Sequence, residues 1–327
     1  MKINTAVIGV GNMGRHHARI YSELQDVNLV AVSDLNEKNG RSLSTRFDCN
    51  FYTNFEEMLA KEHIDAMSIA VNTTHHKNIS TLALKRGIAC LVEKPLAESS
   101  AAAEEIINTA RSYNSLLMVG HIERFNPAVI KLKEIIREGR MGDIISIICR
   151  RVGIAPPSIK DAGVIIDLSV HDIDICNYLL DKTSDNLFAS GGSALISERE
   201  DYATIFLNYG MTNVIIQSNW ITPIKIRTLN ITGTKGYAEL DYINQRLHIY
   251  QAKVDSFYDD YGEFVLKFGT PSTYEVEILK QEPLKLELEH FVNCVKNHQK
   301  PLVTGEDGLA ALMVALDAQE KVLSQRQ

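Results

Sequence analysis

Ile3-Asn4-Thr5-Ala6-Val7-Ile8-Gly9-Val10-Gly11-Asn12-Met13-Gly14 is the stretch on which the fold turns. Residues 3–10 form a short, apolar, β-branched run that takes in the first glycine, of the kind that is buried on both faces in a parallel sheet. Three glycines stand as G-x-G-x-x-G, directly before a helical pattern from Met13 to about Gln25. The three glycines serve different physical needs. Gly9 permits a tight turn, Gly11 lets backbone approach a pyrophosphate, and Gly14 lets helix and strand pack closely. The helix start, with Asn12 and Met13 in the turn, offers N–H groups and a positive dipole end to phosphates. Val27–Ser33 reads as a second buried strand, and Asp34 closes it 20 residues after Gly14. A carboxylate there accepts hydrogen bonds from the adenosine ribose hydroxyls and repels a 2′-phosphate, so the pattern predicts NAD rather than NADP. A glycine-rich turn beside a surface aspartate is the plainer explanation, and the ordered strand, turn and helix weigh against it.

The alternation continues outward. Helices are expected over 36–45, 55–60, 76–86 and 99–113, the last capped by Ser99 or Ser100. Strands are expected over 66–71, 89–92 and 116–119. Strands and helices alternating at this spacing predict a doubly wound parallel sheet with right-handed crossovers. After Gly120 the pattern changes. One helix over 127–138 precedes a series of strands over 144–151, 203–209, 211–220, 226–232, 236–241 and 246–251, and two helices over 286–297 and 307–323 end the chain. Successive strands without intervening helices predict a large, mostly antiparallel open sheet. The expected organisation is therefore α/β, with a Rossmann NAD-binding domain over 1–120 and an α+β domain for substrate binding and oligomerisation over 121–327.

A length of 327 residues suits two cores. The net charge is −7, from 34 basic and 41 acidic residues, which disfavours a nucleic-acid binder needing a basic stripe. Cys49, Cys90, Cys149, Cys176 and Cys294 lie far apart with no C-x-x-C pair, so neither a disulfide framework nor a zinc site is expected. No signal segment precedes the first strand and no apolar run approaches ~18 residues. The expected setting is the cytoplasm, with no membrane partner and no metal.

Glu93-Lys94-Pro95 follows a buried strand at its C-terminal end, where open α/β sheets place ligands. Further along, Asp167 and His171 stand four apart and share one face of a helix, if that segment is helical. A histidine of near-neutral pKa can take a hydroxyl proton as hydride leaves the carbon. Asp167 can fix its tautomer or bind a substrate hydroxyl, and a cationic Lys94 can polarise the oxygen where negative charge develops. Which of Lys94 and His171 is the formal base stays open, with His171 preferred. A metal site from His171, Asp172 and Asp174 has no supporting cluster, and His75, His16 and His17 read as incidental.

With these segments and Gly120-His121-Ile122-Glu123-Arg124-Phe125-Asn126-Pro127, the chain resembles the glucose-fructose oxidoreductase/inositol dehydrogenase family (Gfo/Idh/MocA) over essentially its whole length. The family's E-K-P motif matches Glu93, Lys94 and Pro95, its D-x-x-x-H motif matches Asp167 and His171, and its T-x-x-H element matches Thr73 and His76. The resemblance implies that Thr73, His76, Glu93 and Lys94 line the cofactor. One departure is Asp161-Ala162-Gly163, where the family is often richer in glycine. The 120–127 segment and Asn219-Trp220-Ile221-Thr222-Pro223 with Lys225 and Arg227 look like the UDP-N-acetylglucosamine 3-dehydrogenase branch. That likeness implies oxidation of the sugar C3 hydroxyl to a ketone, which a partner aminotransferase then aminates for lipid A or another surface glycan.

A sugar nucleotide carries two phosphates, and Arg124, Arg150, Arg151, Lys225 and Arg227 are the candidate cations, with Asn126 beside them in the first segment. Each is otherwise an ordinary surface charge. Competing readings are a dehydrogenase of a free sugar or inositol, a catalytically silent NAD-sensing regulator, and redox-assisted glycoside cleavage. The second domain's open sheet, apolar at 144–148 and 203–207, would leave an exposed patch. The resemblance implies that a homodimer or homotetramer covers it.

Overall fold

The computed structural model describes residues 2–154, 162–196, 198–251, 254–258, 260–261 and 263–325. Asp161, the first residue of the glycine-poor Asp161-Ala162-Gly163 segment, lies outside them. The chain divides into two compact units. The first holds residues up to Phe125 together with Glu282–Leu316, and the second holds 126–156, Gly163–Gln281 and the residues from Asp317 onward.

In the first unit the order is β1 (Ile3–Ile8), α1 (Gly14–Glu23), β2 (Val27–Ser33), α2 (Glu37–Phe47), β3 (Asn50–Tyr52), α3 (Phe55–Lys61), β4 (Ala66–Ile69), α4 (His76–Leu84), β5 (Ala89–Glu93), α5 (Ser100–Ser112) and β6 (Leu117–Gly120). The six strands are all parallel, in the order β3-β2-β1-β4-β5-β6. The sheet therefore reverses direction of growth between β1 and β4, the switch point at which such folds bind ligands. Caps agree with the sequence: Asn36, Asn54 and Ser99 each accept a backbone N–H from the first turn of their helices. The helix α1 is different, because no side chain caps it.

The second unit contributes α6 (Pro127–Arg137), β7 (Ile144–Ile154), α7 (Val170–Leu180), β8 (Asn186–Gly192), β9 (Tyr202–Tyr209), β10 (Thr212–Asn219), β11 (Ile221–Gly233), β12 (Gly236–Asp241), β13 (Arg246–Gln251), β14 (Val254–Tyr258), β15 (Phe264–Phe268) and β16 (Ser272–Glu275). Eight strands form one sheet in the order β16-β13-β12-β11-β7-β10-β9-β8. Its pairs are antiparallel except β7 with β10, and β14 and β15 form a separate ribbon. One face buries Ile147, Cys149, Ile205, Leu207, Val214 and Ile216. The register sets Ile148, Ile215, Phe206 and Phe188 side by side in a row across the other face. Of these, Ile148, Phe206 and Phe188 are exposed at 47%, 44% and 58%.

The final helices are α8 (Pro283–Asn297) and α9 (Gly305–Ser324). A cut at residue 120 would assign both to the second domain, but residues 282–316 pack with the first. Leu284, Leu288, Phe291, Val292, Val303 and Leu312 share one buried cluster with the apolar residues of β1, β4, β5 and β6. The apolar side chains of α8 cover the parallel sheet, which must be buried on both faces. Among the described residues, no helix is long and apolar enough to cross a membrane.

Phe291 is fully buried in that cluster. Phe291→Ala is expected to destabilise the protein by about 3–5 kcal/mol, read from urea unfolding followed by circular dichroism. A change below about 1 kcal/mol would detach α8 from the first core.

Candidate active site

The C-terminal edge of the parallel sheet gathers most of the predicted cofactor residues. Gly9 has φ +80°, and a Cβ there would lie 2.6 Å from the Ala70 carbonyl oxygen. A Cβ on Gly14 would lie 1.7 Å from the Gly9 carbonyl oxygen, so only glycine lets α1 start this close to β1. A Cβ on Gly11 would meet nothing within 4 Å. The middle glycine thus faces open space beside an uncapped helix N-terminus, a cradle that fits a pyrophosphate. Asn12 and Met13 are exposed in the same turn. Asp34 receives the Val10 N–H at 2.7 Å on one carboxylate oxygen and the Asn36 N–H at 2.7 Å on the other. It ties the glycine turn to the end of β2, and lone pairs remain on both oxygens for ribose hydroxyls. Thr73 lies partly exposed just beyond β4.

At the end of β5, Glu93 is buried and Lys94 partly exposed. Glu93 Oε1 accepts from His17 Nε2 at 2.9 Å, and Glu93 Oε2 accepts from the Lys94 N–H at 3.3 Å. Gly120 opposite makes room, since a Cβ there would crowd the Glu93 carboxyl at 3.1 Å. Burial acts to raise the Glu93 pKa, but His17, Lys94 and His76 around it hold it below the ordinary carboxylate value. His76 has Pro95 O 3.0 Å from Nδ1 and Val71 O 3.1 Å from Nε2. Burial pushes its pKa down against those two carbonyls, and a neutral ring can donate to only one of them. His76 thereby links the segment after β4 to the loop after Lys94.

His17 is the residue that sequence reasoning passed over. It is fully buried and bridges α1 to β4 and β5, with Ser68 Oγ 2.9 Å from its Nδ1. The available signal was its spacing of four from Tyr21, which puts both on the inward face of α1. Adjacent histidines gave no hint of which one turns inward.

In the second unit, Ile165–Ser169 form a π-helical turn that runs into α7. Such a turn inserts one extra residue and is frequent at functional sites. Over residues 163–177 every side chain is buried except those of Asp167 and His171. The turn presents these two, four apart, from an otherwise sealed segment. Gly163 is small for a local reason: a Cβ there would lie 2.0 Å from the Glu200 carboxyl, which is buried and bonded to Gln319 at 2.9 Å.

The cations expected to hold a diphosphate fare differently from one another. Arg124 is 3% exposed and meets Asp307 at 3.2 Å and Leu302 O at 3.3 Å, all within the first unit. Arg151, also 3% exposed, makes a bidentate pair with Asp172 at 2.8 and 2.8 Å and lies 4.9 Å from the centre of the Tyr242 ring. Asn126 caps α6 through Ala128 N–H and donates to Tyr242 O. Each of these three side chains has partners inside its own unit. Lys225 is exposed, Arg227 is partly exposed and donates to Val152 O at 2.8 Å, and Arg150 lies on the open sheet face against Gln217. Among the described residues, no group of three or more His, Cys, Asp or Glu is placed to hold a metal.

Residues 3–121 match the family model described as an oxidoreductase family NAD-binding Rossmann fold, and residues 133–326 match its C-terminal alpha/beta domain. A UDP-N-acetylglucosamine 3-dehydrogenase of Acidithiobacillus ferrooxidans is 27% identical over 323 residues, covering 98% of this chain and 97% of that protein. Its solved structure superposes with a TM-score of 0.87 at 26% identity over 100% of both chains. A myo-inositol 2-dehydrogenase of Thermotoga maritima is 25% identical over 335 residues, covering 98% and 96%. The chain is an oxidoreductase and its cofactor is NAD.

Replacing Asp34 by Ala removes the acceptor of two backbone N–H groups beside the glycine turn. Asp34→Ala is expected to weaken NAD binding by about tenfold or more and to shrink the preference over NADP, measured by fluorescence titration with both nucleotides. Unchanged discrimination between them would remove Asp34 from the cofactor site.

Proposed function

The chain belongs to the Gfo/Idh/MocA oxidoreductase family, and from that membership we propose that it oxidises the C3 hydroxyl of UDP-N-acetylglucosamine to the 3-keto sugar nucleotide. The observation that carries the reading is the sealed segment 163–177, which leaves only Asp167 and His171 reaching out. A segment that buries every side chain over 163–177 but one carboxylate and one imidazole is suited to present an acid–base pair.

In this reading His171 takes the hydroxyl proton, and Asp167 fixes the imidazole or holds a neighbouring hydroxyl. Lys94 steadies the oxygen as negative charge develops on it. NAD, when bound, accepts the hydride. Asp34, Gly11, Asn12, Met13 and the start of α1 hold the adenosine and pyrophosphate. Thr73, His76, Glu93 and Lys94 lie toward the nicotinamide half, since the dinucleotide crosses the sheet edge at its switch point. Lys225 and Arg227 remain as diphosphate ligands. The ketone is the substrate class of an aminotransferase, which gives the product a route to 3-amino sugars of lipid A or another surface glycan. The five cysteines are free thiols, in keeping with a cytoplasmic setting.

The burial of Arg124 and Arg151 favours a second reading, a free sugar or inositol as substrate, because two of the five expected cations are engaged elsewhere. The exposed row of Ile148, Phe206 and Phe188 supports a homodimer or homotetramer closed through that sheet face.

Mixing the protein with NAD, UDP-N-acetylglucosamine, glutamate and an aminotransferase is expected to yield NADH and amino sugar. Lys94→Met and His171→Ala are each expected to lower turnover by roughly 10²-fold or more. NADH formed only from inositol or a free sugar, with no inhibition by UDP, would move the assignment to the second reading. Light scattering on a sizing column is expected to give two or four subunits, with Phe206→Lys shifting the protein toward monomer. A wild-type monomer would sink the oligomer.

A further inference from the structure

Four side chains form a continuous hydrogen-bonded line inside the first unit. Tyr21 OH lies 2.8 Å from Ser68 Oγ, Ser68 Oγ lies 2.9 Å from His17 Nδ1, and His17 Nε2 lies 2.9 Å from Glu93 Oε1. Tyr21, Ser68 and His17 are fully buried and Glu93 is 8% exposed. They come from three elements, α1, β4 and β5.

The direction of the protons follows from counting donors. A carboxylate only accepts, so His17 Nε2 carries a hydrogen. If Nδ1 carried one too, Ser68 would have to accept it and donate to Tyr21, leaving the buried phenol hydrogen without an acceptor among the described residues. Run the other way, every hydrogen is used: Tyr21 donates to Ser68, Ser68 to Nδ1, and Nε2–H to Glu93. Burial pushes the Tyr21 pKa up, so the line keeps its first donor. The other titratable groups facing the line are Lys94 after β5, His76 from α4, Cys90 within β5 and Glu287 from α8.

We propose that His17 is a positioning residue, locked by Tyr21 and Ser68 as the Nε2–H tautomer, which holds Glu93 as a buried carboxylate against the Lys94 amide. The fixed negative charge then lies toward the nicotinamide half of the cofactor. It favours NAD⁺, whose ring carries a positive charge, over NADH, whose ring is neutral. The proposal rests on NAD binding and on Glu93 lying near the nicotinamide. It needs no sugar, so it stands or falls separately from the substrate.

The test is the ratio of NAD⁺ to NADH dissociation constants against pH, in wild type, His17→Gln and His17→Leu. Glutamine offers an amide N–H where the imidazole Nε2–H stood; leucine offers none. A carboxylate with a depressed pKa keeps its charge above that pKa and loses it as pH falls through it. Without the His17 donor, the Glu93 pKa rises, and the acid-side loss of NAD⁺ affinity moves to higher pH. His17→Leu is expected to move the acid-side loss of NAD⁺ affinity relative to NADH up by about one pH unit, matching a carboxylate pKa about one unit higher. His17→Gln is expected to reverse most of that shift. Parallel loss for both nucleotides, or a glutamine variant no better than leucine, overturns the proposal. If His17→Leu fails to fold, ¹⁵N spectra of histidine-labelled wild type decide: a neutral Nε2–H ring at pH 7 upholds it and an imidazolium overturns it.

Discussion

The contact between Gly14 and Gly9 sets the distance on which the rest of the first unit depends. A methyl group at residue 14 would stand 1.7 Å from the Gly9 carbonyl oxygen, so α1 approaches β1 only because neither residue carries a side chain there. That approach sends the inward face of α1 over the sheet, and His17 and Tyr21 reach Ser68 on β4 and Glu93 on β5. The same approach leaves the helix N-terminus open above Gly11. One steric constraint thus fixes two features of the same sheet edge: an open amide cradle at one end of the turn and a buried carboxylate two strands away.

The second unit handles charge by a different device. The protein is acidic overall, with a net charge of −7, yet several of its cations are engaged inside. Arg151 is clamped by Asp172, the residue directly after His171. The bidentate geometry fixes the first turn of α7 against β7, and so fixes the helix that carries His171. Removing either partner would leave an unpaired buried charge. Neither Arg151 nor Asp172 needs to touch substrate to matter for where the imidazole stands.

Most of the architecture was legible in the sequence because two periodicities and three glycines are local signals. The strand, glycine turn and helix around residues 3–25, the alternation to residue 120 and the following run of strands all fall where the pattern put them. Strands β3, β8, β14, β15 and β16 were not anticipated: β3, β8 and β16 lie at sheet edges, where short strands bury few side chains and show little alternation, and β14 and β15 form a separate two-stranded ribbon. The packing of residues 282–316 with the first unit was equally hidden. An amphipathic helix declares that it has a buried face but not which sheet covers it. The partners that Arg124, Arg151 and Asn126 find inside their own units were equally hidden, because a residue type suited to phosphate is equally suited to a buried carboxylate or a helix cap. Among the expected residues, Asp34 beside the glycine turn and Asp167 with His171, the two partly exposed side chains of a buried segment, are those whose positions follow from local geometry alone.

Burying Glu93 among side chains works against stability, because an ionised carboxylate withdrawn from water loses hydration that a single hydrogen-bonded pair seldom restores in full. An apolar residue at 93, with another at 17, would fill the same space between α1 and β5 without that penalty. Stability therefore gives no reason for a carboxylate here, whereas its location does. Glu93 sits at the C-terminal end of a parallel strand, next to the partly exposed Lys94 and across from a glycine that makes room for its oxygens. A charge kept at the rim of a cofactor edge, fixed on one side by a neutral histidine and on the other by the lysine's own amide, acts on what binds there. The line from Tyr21 through Ser68 makes that charge independent of solvent rearrangement, since no member of it has to move or ionise when the cofactor arrives.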